Sequence, residues 1–204
     1  MKIFICLMFL IVLTDQINAQ HKKKKEYSIA IMNAQTAMPF DKFSALVYKD
    51  LHPGIEAGFG FNWKTKAKHD WYQEFKAGYF FHRFVQHSIP VYTNFGYRYK
   101  FSRTLSITNS IGAGYLHSIP ATSKFKLNQN GEYENNIGAG RMQAMLIYSV
   151  GMGYILKSAT ERPVKLFMSY QQRLQLPFVK SYVPILPYNS FTIGISKSLK
   201  RKNK

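Results

Sequence analysis

Two histidine-serine dipeptides suggest nucleophilic catalysis, in which a histidine activates a serine. They are His87-Ser88 and His117-Ser118. A histidine base that takes a proton from a serine hydroxyl produces the nucleophile of a hydrolase or acyltransferase. Successive side chains on a regular strand point to opposite faces of the sheet, so neither dipeptide can form its own base-nucleophile pair. A pair drawn from two different strands remains open.

The candidate catalytic residues for such a cross-strand pair are His82, His117 and Ser118. His52, His82, His87 and His117 all fall near one end of the predicted strands, so strands could bring them together. Their separations in sequence match no pattern of zinc ligands, and we expect no metal site.

Three glycine-rich tripeptides at first resemble phosphate-binding loops. They span 112–114, 138–140 and 151–153. None opens a helix after a strand, which a phosphate loop requires, and we expect no cofactor. Glycine on the crowded inner face of a barrel, or at a bend, explains them more simply.

Alternation of apolar and polar residues predicts the elements that position these side chains. Three such segments follow one another with short connections: 71–84, 89–101 and 105–118. In the first, Trp71, Phe75 and Tyr79 share one face, while Glu74 and Lys76 share the other. Each segment has at least 13 residues, whereas the usual strand has about 5 or 6. A strand that crosses a bilayer needs about 9 to 11 residues, so length predicts transmembrane strands.

Five further alternating segments bring the predicted number of strands to eight. They are 27–33, 53–63, 141–156, 163–176 and 188–199. An even number of strands, with short turns at one end and longer loops at the other, is typical of bacterial outer-membrane barrels. The prediction is an all-β, eight-stranded antiparallel up-and-down transmembrane β-barrel. Its long outer loops would be 34–52, 119–140 and 177–187.

Residues 1–19 predict a cleavable signal peptide. Lys2 provides a positive n-region, residues 3–13 are an unbroken apolar run, and Ala19 ends a small-residue cleavage site. The apolar run is too short to cross a bilayer as a helix. Cys6, the single cysteine of the chain, lies in this run, so the mature protein would hold no disulfide and no cysteine metal site.

The remaining length predicts one domain. Four parts are expected along the chain: the signal peptide at 1–19, a basic leader at 20–26, the outer-membrane barrel at 27–199, and a basic tail at 200–204.

The net charge of +18 limits the partners. Such a charge favours nucleic acid or an anionic membrane surface, and export argues against nucleic acid. Under the predicted topology, seventeen basic residues and three acidic ones, Glu26, Asp70 and Glu161, fall on the periplasmic side. We expect a solvated rim or a basic collar that contacts anionic phospholipid or cell wall. The expected partners elsewhere are outer-membrane lipids and lipopolysaccharide.

Charged residues on the polar strand faces predict the content of the barrel interior. They are Glu56, Glu74, Lys76, Arg98 and Arg173. Opposite charges can pair across a narrow lumen, and eight strands leave an interior that side chains fill. The prediction is a lumen network that plugs the barrel; a gated ion path is the alternative.

The segments 52–63, 78–90 and 112–125 resemble those of small outer-membrane β-barrel proteins of Gram-negative bacteria. The resemblance covers nearly the whole mature chain and implies the fold and an outer-membrane location, but it transfers no catalytic residue. Lipid A deacylases, also eight-stranded barrels, use a His and Ser pair for which this chain has no convincing His-x-Ser match. The terminal aromatic that often ends such barrels is also missing, because Leu199 is followed by basic residues.

Three functions follow as hypotheses. The main one is a non-enzymatic outer-membrane barrel with a structural role or a binding role for its outer loops. The second is a membrane-embedded lipid A-type hydrolase or acyltransferase that acts at the outer rim. The third is a soluble lipocalin-like carrier, which would require the apolar faces to point inward.

Overall fold

The computed structural model of this chain describes residues 25–38, 51–123, 125–135, 138–156, 164–178 and 183–199. Among them it has ten strands: β1 (Lys25–Thr36), β2 (Pro53–Thr65), β3 (His69–His82), β4 (Gln86–Lys100), β5 (Leu105–Pro120), β6 (Phe125–Leu127), β7 (Tyr133–Asn135), β8 (Arg141–Ile155), β9 (Val164–Leu176) and β10 (Leu186–Ser198). No helix in these ranges is long and apolar enough to cross a membrane. The predicted signal peptide and basic tail lie outside the described residues.

Eight of the described strands close a barrel in the order β1-β2-β3-β4-β5-β8-β9-β10. Every neighbouring pair is antiparallel, and β1 pairs with both β2 and β10, so the sheet has no open edge there. Ile31, for example, lies opposite Ile55 on one side and Ile193 on the other. The predicted eight-stranded antiparallel up-and-down barrel is therefore confirmed.

The two ends of the barrel differ in their connections. The turn end holds the tight connections 66–68 and 101–104, the start of β1 and the end of β10. The loop end holds the connection 83–85 and the longer segments between β1 and β2, β5 and β8, and β9 and β10.

Residues 119–140 hold more structure than the predicted loop. β5 extends to Pro120, and β6 and β7 form a separate two-stranded hairpin at the loop end. Leu127 lies opposite Tyr133, and Lys126 lies opposite Glu134. Strands of three residues are too short for alternation to reveal them.

The barrel has apolar side chains outside and charged side chains inside. Exposed outer residues include Trp71, Phe75, Val91, Phe95, Ile111, Leu146 and Ile193. Inside, Glu56 is 3% exposed, Lys76 is 7% exposed and Arg173 is fully buried. This polarity is the reverse of that of a water-soluble protein, whose buried side chains are mainly apolar.

A layer of apolar side chains nevertheless crosses the interior in the half near the loop end. Its members are buried and come from six strands: Met32, Ala34, Phe80, Tyr92, Leu116, Met145, Ile147 and Tyr188. The rings of Phe80 and Tyr188 lie 5.3 Å apart, and the Tyr188 hydroxyl donates to Met145 Sδ at 3.5 Å. The inner face is thus less uniformly polar than the alternation predicts.

Glycine permits the closest strand contacts on the inner face. A Cβ added at Gly114 would overlap the Tyr92 Cβ and the Val91 carbonyl oxygen. Gly138 and Gly140, by contrast, lie at the loop end with φ of 66° and 92°, values that favour glycine. Crowding and bends therefore account for these glycines.

Candidate functional site

A central ion cluster occupies the middle of the barrel interior. Glu56 on β2 accepts contacts from Lys76 Nζ on β3 at 3.1 Å and from Arg173 Nη2 on β9 at 3.0 Å. The Tyr92 hydroxyl donates to the same carboxylate. Glu74 lies 3.5 Å from Lys76 Nζ and is more exposed. Two acids and two bases leave the cluster without net charge.

Arg173 is the side chain most firmly held in this cluster. Its Nε and Nη2 donate to Gln171 Oε1 at 3.1 and 2.6 Å, and its guanidinium lies 5.3 Å from the centre of the Tyr92 ring. A planar guanidinium suits such stacking and forked donation. These contacts hold the Arg173 guanidinium between Gln171, Tyr92 and Glu56 inside the barrel.

A second group, the turn-end ion cluster, surrounds Arg98. Its Nη2 lies 3.3 Å from Glu26 Oε2, and its Nη1 lies 3.9 Å from Asp70 Oδ2. Lys100 Nζ approaches Asp70 Oδ1 at 2.7 Å, and Lys165 pairs with Glu26. The predicted lumen residues thus divide: Glu56, Glu74, Lys76 and Arg173 meet in the centre, whereas Arg98 joins other partners.

The predicted positions of Glu26 and Asp70 need correction. From the sequence, Glu26 falls in the leader, and both acids fall on the periplasmic side, where the expectation is a solvated rim or a basic collar. β1 begins at Lys25, however, and the side chains of Asp70, Lys165 and Glu26 are only 3%, 13% and 17% exposed. They face inward on the same strand faces as the lumen charges. Pairing with Arg98 offsets the burial of the two acids, and pairing with Glu26 offsets that of Lys165.

A cavity of about 40 Å³ separates the two ion clusters. Lys76 lines it from one side and Arg98 from the other, and serines form much of the wall. A water molecule needs about 10 to 15 Å³ of such space, so this cavity has room for a few waters and no larger ligand.

A stacked histidine pair lies inside the loop end of the barrel. The rings of His52 and His82 are 3.7 Å apart and inclined by 9°, and the two residues are 3% and 6% exposed. Among the described residues, neither ring nitrogen of His82 has a hydrogen-bond partner, and neither does the Ser118 hydroxyl. His82 and Ser118 therefore form no base-nucleophile contact.

His117 and Ser118 lie on opposite faces of β5. Ser118 is 1% exposed and points inward, while His117 contacts the Tyr115 hydroxyl at 2.9 Å and the Ala139 carbonyl at 2.8 Å. Both ring nitrogens of His117 are thus engaged away from the serine. His87 likewise contacts the Tyr79 hydroxyl on the outside, at 2.7 Å.

A glutamine cluster was not found from the sequence. Gln175 Nε2 donates to Gln86 Oε1 at 3.0 Å and to Gln143 Oε1 at 2.6 Å, and Gln143 donates to the Pro177 carbonyl at 2.6 Å. The only indication in the sequence is that one glutamine on each of β4, β8 and β9 falls on the inward-facing side of its strand. Their amides satisfy one another and tie the β9-β10 loop to the barrel wall.

Within the part of the chain that the structure describes, no three His, Cys, Asp or Glu side chains are placed to hold a metal ion.

Comparisons with known proteins yield similarities of architecture. No family model matches the chain, and no curated protein matches it. Neisserial surface protein A is 9% identical, with 88% of this chain and 97% of that chain covered and a TM-score of 0.48. Ail of Yersinia pestis is 12% identical, with 87% and 97% covered and a TM-score of 0.44. The N-terminal β-barrel domain of Pseudomonas aeruginosa OprF is 11% identical, with 86% and 99% covered and a TM-score of 0.38. Matches with such low identities and TM-scores say nothing about the function of this chain. The closed barrel is established by the strand pairing of this chain.

Proposed function

We propose that this protein is an outer-membrane β-barrel without an open pore that presents its loop end for binding. The polarity of the barrel carries the proposal. An outer surface of large apolar side chains around a charged interior suits a wall that faces hydrocarbon.

Polar side chains on the outer surface support a hydrocarbon environment. Gln73 faces outward, accepts from Trp63 Nε1 at 3.2 Å and donates to Thr93 Oγ1 at 3.0 Å. Asn109 donates to the Tyr148 hydroxyl at 3.1 Å. Polar groups without hydrogen-bond partners cost free energy in a bilayer, and these side chains are hydrogen-bonded to one another.

An aromatic belt lines the outer surface of β3 and β4 near the turn end. Trp71 packs on Phe95 and Tyr97 with ring centres 5.6 and 5.2 Å apart, and Tyr99 packs on Phe101 at 4.8 Å. Tryptophan and tyrosine concentrate where hydrocarbon meets lipid headgroups, so the belt suits the periplasmic interface. The proposed lipid partners are phospholipid on this side and lipopolysaccharide on the other.

The interior suits a barrel that does not conduct ions. The central ion cluster, the apolar layer and the glutamine cluster lie one above another along the barrel axis. The cavity between the ion clusters measures only about 40 Å³. Reconstituted protein should therefore give no stable conductance steps in a planar bilayer, and regular single-channel steps would contradict this part of the proposal.

The hairpin β6-β7 supports a binding role for the loop end. Phe125, Leu127 and Tyr133 are 65%, 54% and 76% exposed. Leu127 and Tyr133 form a cross-strand pair, while Lys126 and Glu134 pair beside them. Exposed apolar side chains grouped on one element are typical of surfaces that meet a partner.

The other two hypotheses gain no support from the described residues. A lipid hydrolase needs a base beside its nucleophile, and His82, His117 and Ser118 form no such pair. A soluble carrier needs a polar outer surface, and the outer surface here is apolar.

Membrane fractionation of expressing cells tests the proposal. We expect the protein in the outer-membrane fraction, with an electrophoretic mobility that changes when the sample is boiled, because a closed barrel resists detergent until heated. Soluble protein without a heat-dependent shift would overturn the proposal.

A further inference from the structure

A cavity of about 430 Å³, here called the vestibule, opens at the turn end of the barrel. Its walls come from the connections 66–68 and 101–104 and from the adjoining ends of the strands. The volume falls within the range of about 300 to 1,000 Å³ that small-molecule sites occupy. Neither the loop-end surface nor the central ion cluster contributes to it.

The vestibule is lined by five basic side chains and one acidic one. The basic residues are Lys68, Arg98, Lys100, Arg103 and Lys165, and the acid is Asp70. Arg98, Lys100 and Lys165 are paired with Asp70 or Glu26. No carboxylate of the described residues lies within ion-pair distance of Lys68 or Arg103. Among the described residues, these two cations at the rim thus have no carboxylate partner and can meet an incoming anion.

Arg98 supplies a second observation at the vestibule wall. Its side chain is 10% exposed, and among the described residues its Nε has no hydrogen-bond partner. Buried guanidinium donors are nearly always satisfied, because a buried donor without a partner costs free energy. Arg98 lines both the vestibule and the cavity of about 40 Å³, so an anion in the vestibule or a water in the cavity can accept from this group.

We infer that the vestibule binds the phosphate group of a small molecule that enters from the turn end. Arginine and lysine together offer forked and single charge-assisted donors, which suit a tetrahedral oxyanion. Phe101, Leu105 and Ile155 form an apolar part of the wall that accepts the group attached to the phosphate. The inference does not depend on what binds the loop end.

Calorimetric titration of the folded full-length protein in neutral detergent with inorganic pyrophosphate and with phenyl phosphate tests the inference. The test variant is Lys68→Gln/Arg103→Gln. The control is Lys64→Gln/Lys66→Gln, which removes the same charge from the end of β2 and the adjoining connection 66–68, at side chains that lie beside Trp71 and do not line the vestibule. All four side chains are exposed, and a heat-dependent mobility shift verifies that each variant folds.

The unaltered protein should bind saturably. The test variant should bind at least about tenfold more weakly, because the loss of even one of its two charge-assisted hydrogen bonds has this effect. The control should change the affinity by less than about twofold, since the charges it removes contact no ligand in the vestibule. Absence of saturable binding, or an equal loss in both variants, would overturn the inference.

Bilayer nanodiscs separate the two sources of such a phosphate. If the site takes a soluble phosphate ester, phosphatidylglycerol in place of phosphatidylcholine should leave the affinity for phenyl phosphate unchanged. If a lipid headgroup reaches the site, phosphatidylglycerol should compete, and the Lys68→Gln/Arg103→Gln variant should abolish that competition. Competition that persists in the variant would place the lipid elsewhere and leave the soluble ester as the ligand.

Discussion

Glu56 is the carboxylate that neutralises two buried cations. Lys76 and Arg173 both contact its carboxylate, and all three side chains are at most 7% exposed. Removing one partner of a buried ion pair leaves an uncompensated charge, which costs about 3 to 5 kcal/mol. We therefore expect Glu56→Gln to lower the free energy of unfolding by about this amount. Urea denaturation in phospholipid vesicles measures it.

Glu74→Gln is the matched control for that substitution. Among the described residues Glu74 has one ion-pair partner, Lys76 at 3.5 Å, and its side chain is 23% exposed. Its loss should cost about 1 kcal/mol or less, as for partly solvated pairs. Equal costs for the two variants would show that the cluster is not held by the Glu56 carboxylate.

Gly114 tests the crowding of the inner face. A Cβ there would overlap the backbone of β4 at Val91 and the Cβ of Tyr92. Overpacking costs about 1 to 3 kcal/mol, and Gly114→Ala should lower the free energy of unfolding within or above this range. Gly153→Ala is the control, because its Cβ would meet the Lys165 side chain at 3.2 Å and the Ser106 hydroxyl at 3.1 Å, and the long lysine chain can move. If both variants were equally stable, backbone crowding would not be the reason for Gly114.

At the scale of residues, the sequence revealed which faces carry charge but not which charges meet. Period-two alternation indicated that Glu56, Lys76 and Arg173 share the polar side. Contacts across a lumen depend on the shear of the barrel, which no spacing within one strand encodes. For that reason the sequence predicts Arg98 in one network with Glu56 and Arg173. In the structure its partners are Glu26 and Asp70.

At the scale of elements, long strands were predictable and short ones were not. A strand such as β4, with fifteen residues, contains many alternations, whereas β6 and β7 contain three residues each. Strand ends also differ from the predicted bounds: β1 continues to Thr36, beyond the predicted end at 33, whereas β3 ends at His82, before the predicted end at 84. Polar residues near the ends of lumen-facing strands resemble loop residues, so composition alone cannot separate them.

The hairpin β6-β7 forms its own sheet and should be dispensable for the barrel. Replacing residues 123–137 by a short Gly-Ser linker should change the free energy of unfolding of the barrel by less than about 0.5 kcal/mol, as for changes remote from a core. The same replacement should abolish any binding by the loop end. The variant Phe125→Ser/Leu127→Ser/Tyr133→Ser keeps the loop length and should reproduce the binding defect. A strongly destabilised barrel would instead assign the hairpin a structural role.

At the scale of the whole molecule, the strand face that points outward distinguishes a membrane barrel from a soluble carrier. The alternation in sequence fits an inside-out barrel and a soluble carrier equally well, since both alternate with period two. The burial of Arg173 and the exposure of Phe95 distinguish them in the structure. The polarity of the barrel therefore depends on closure of the sheet, which brings opposite charges together in the interior.

Ala77→Arg tests that polarity in the membrane itself. Ala77 faces outward on β3, midway along the strand, between Ala57 and Val91. If the outer wall meets hydrocarbon, arginine there should cost about 2 to 4 kcal/mol in vesicles, whereas Ala67→Arg in the turn-end connection should cost about 0 to 1 kcal/mol. The depth dependence is the decisive readout, because a surface facing water would tolerate both substitutions alike. Equal costs at the two positions would exclude a lipid-facing wall at Ala77, and with it the membrane-spanning arrangement on which the proposed function rests.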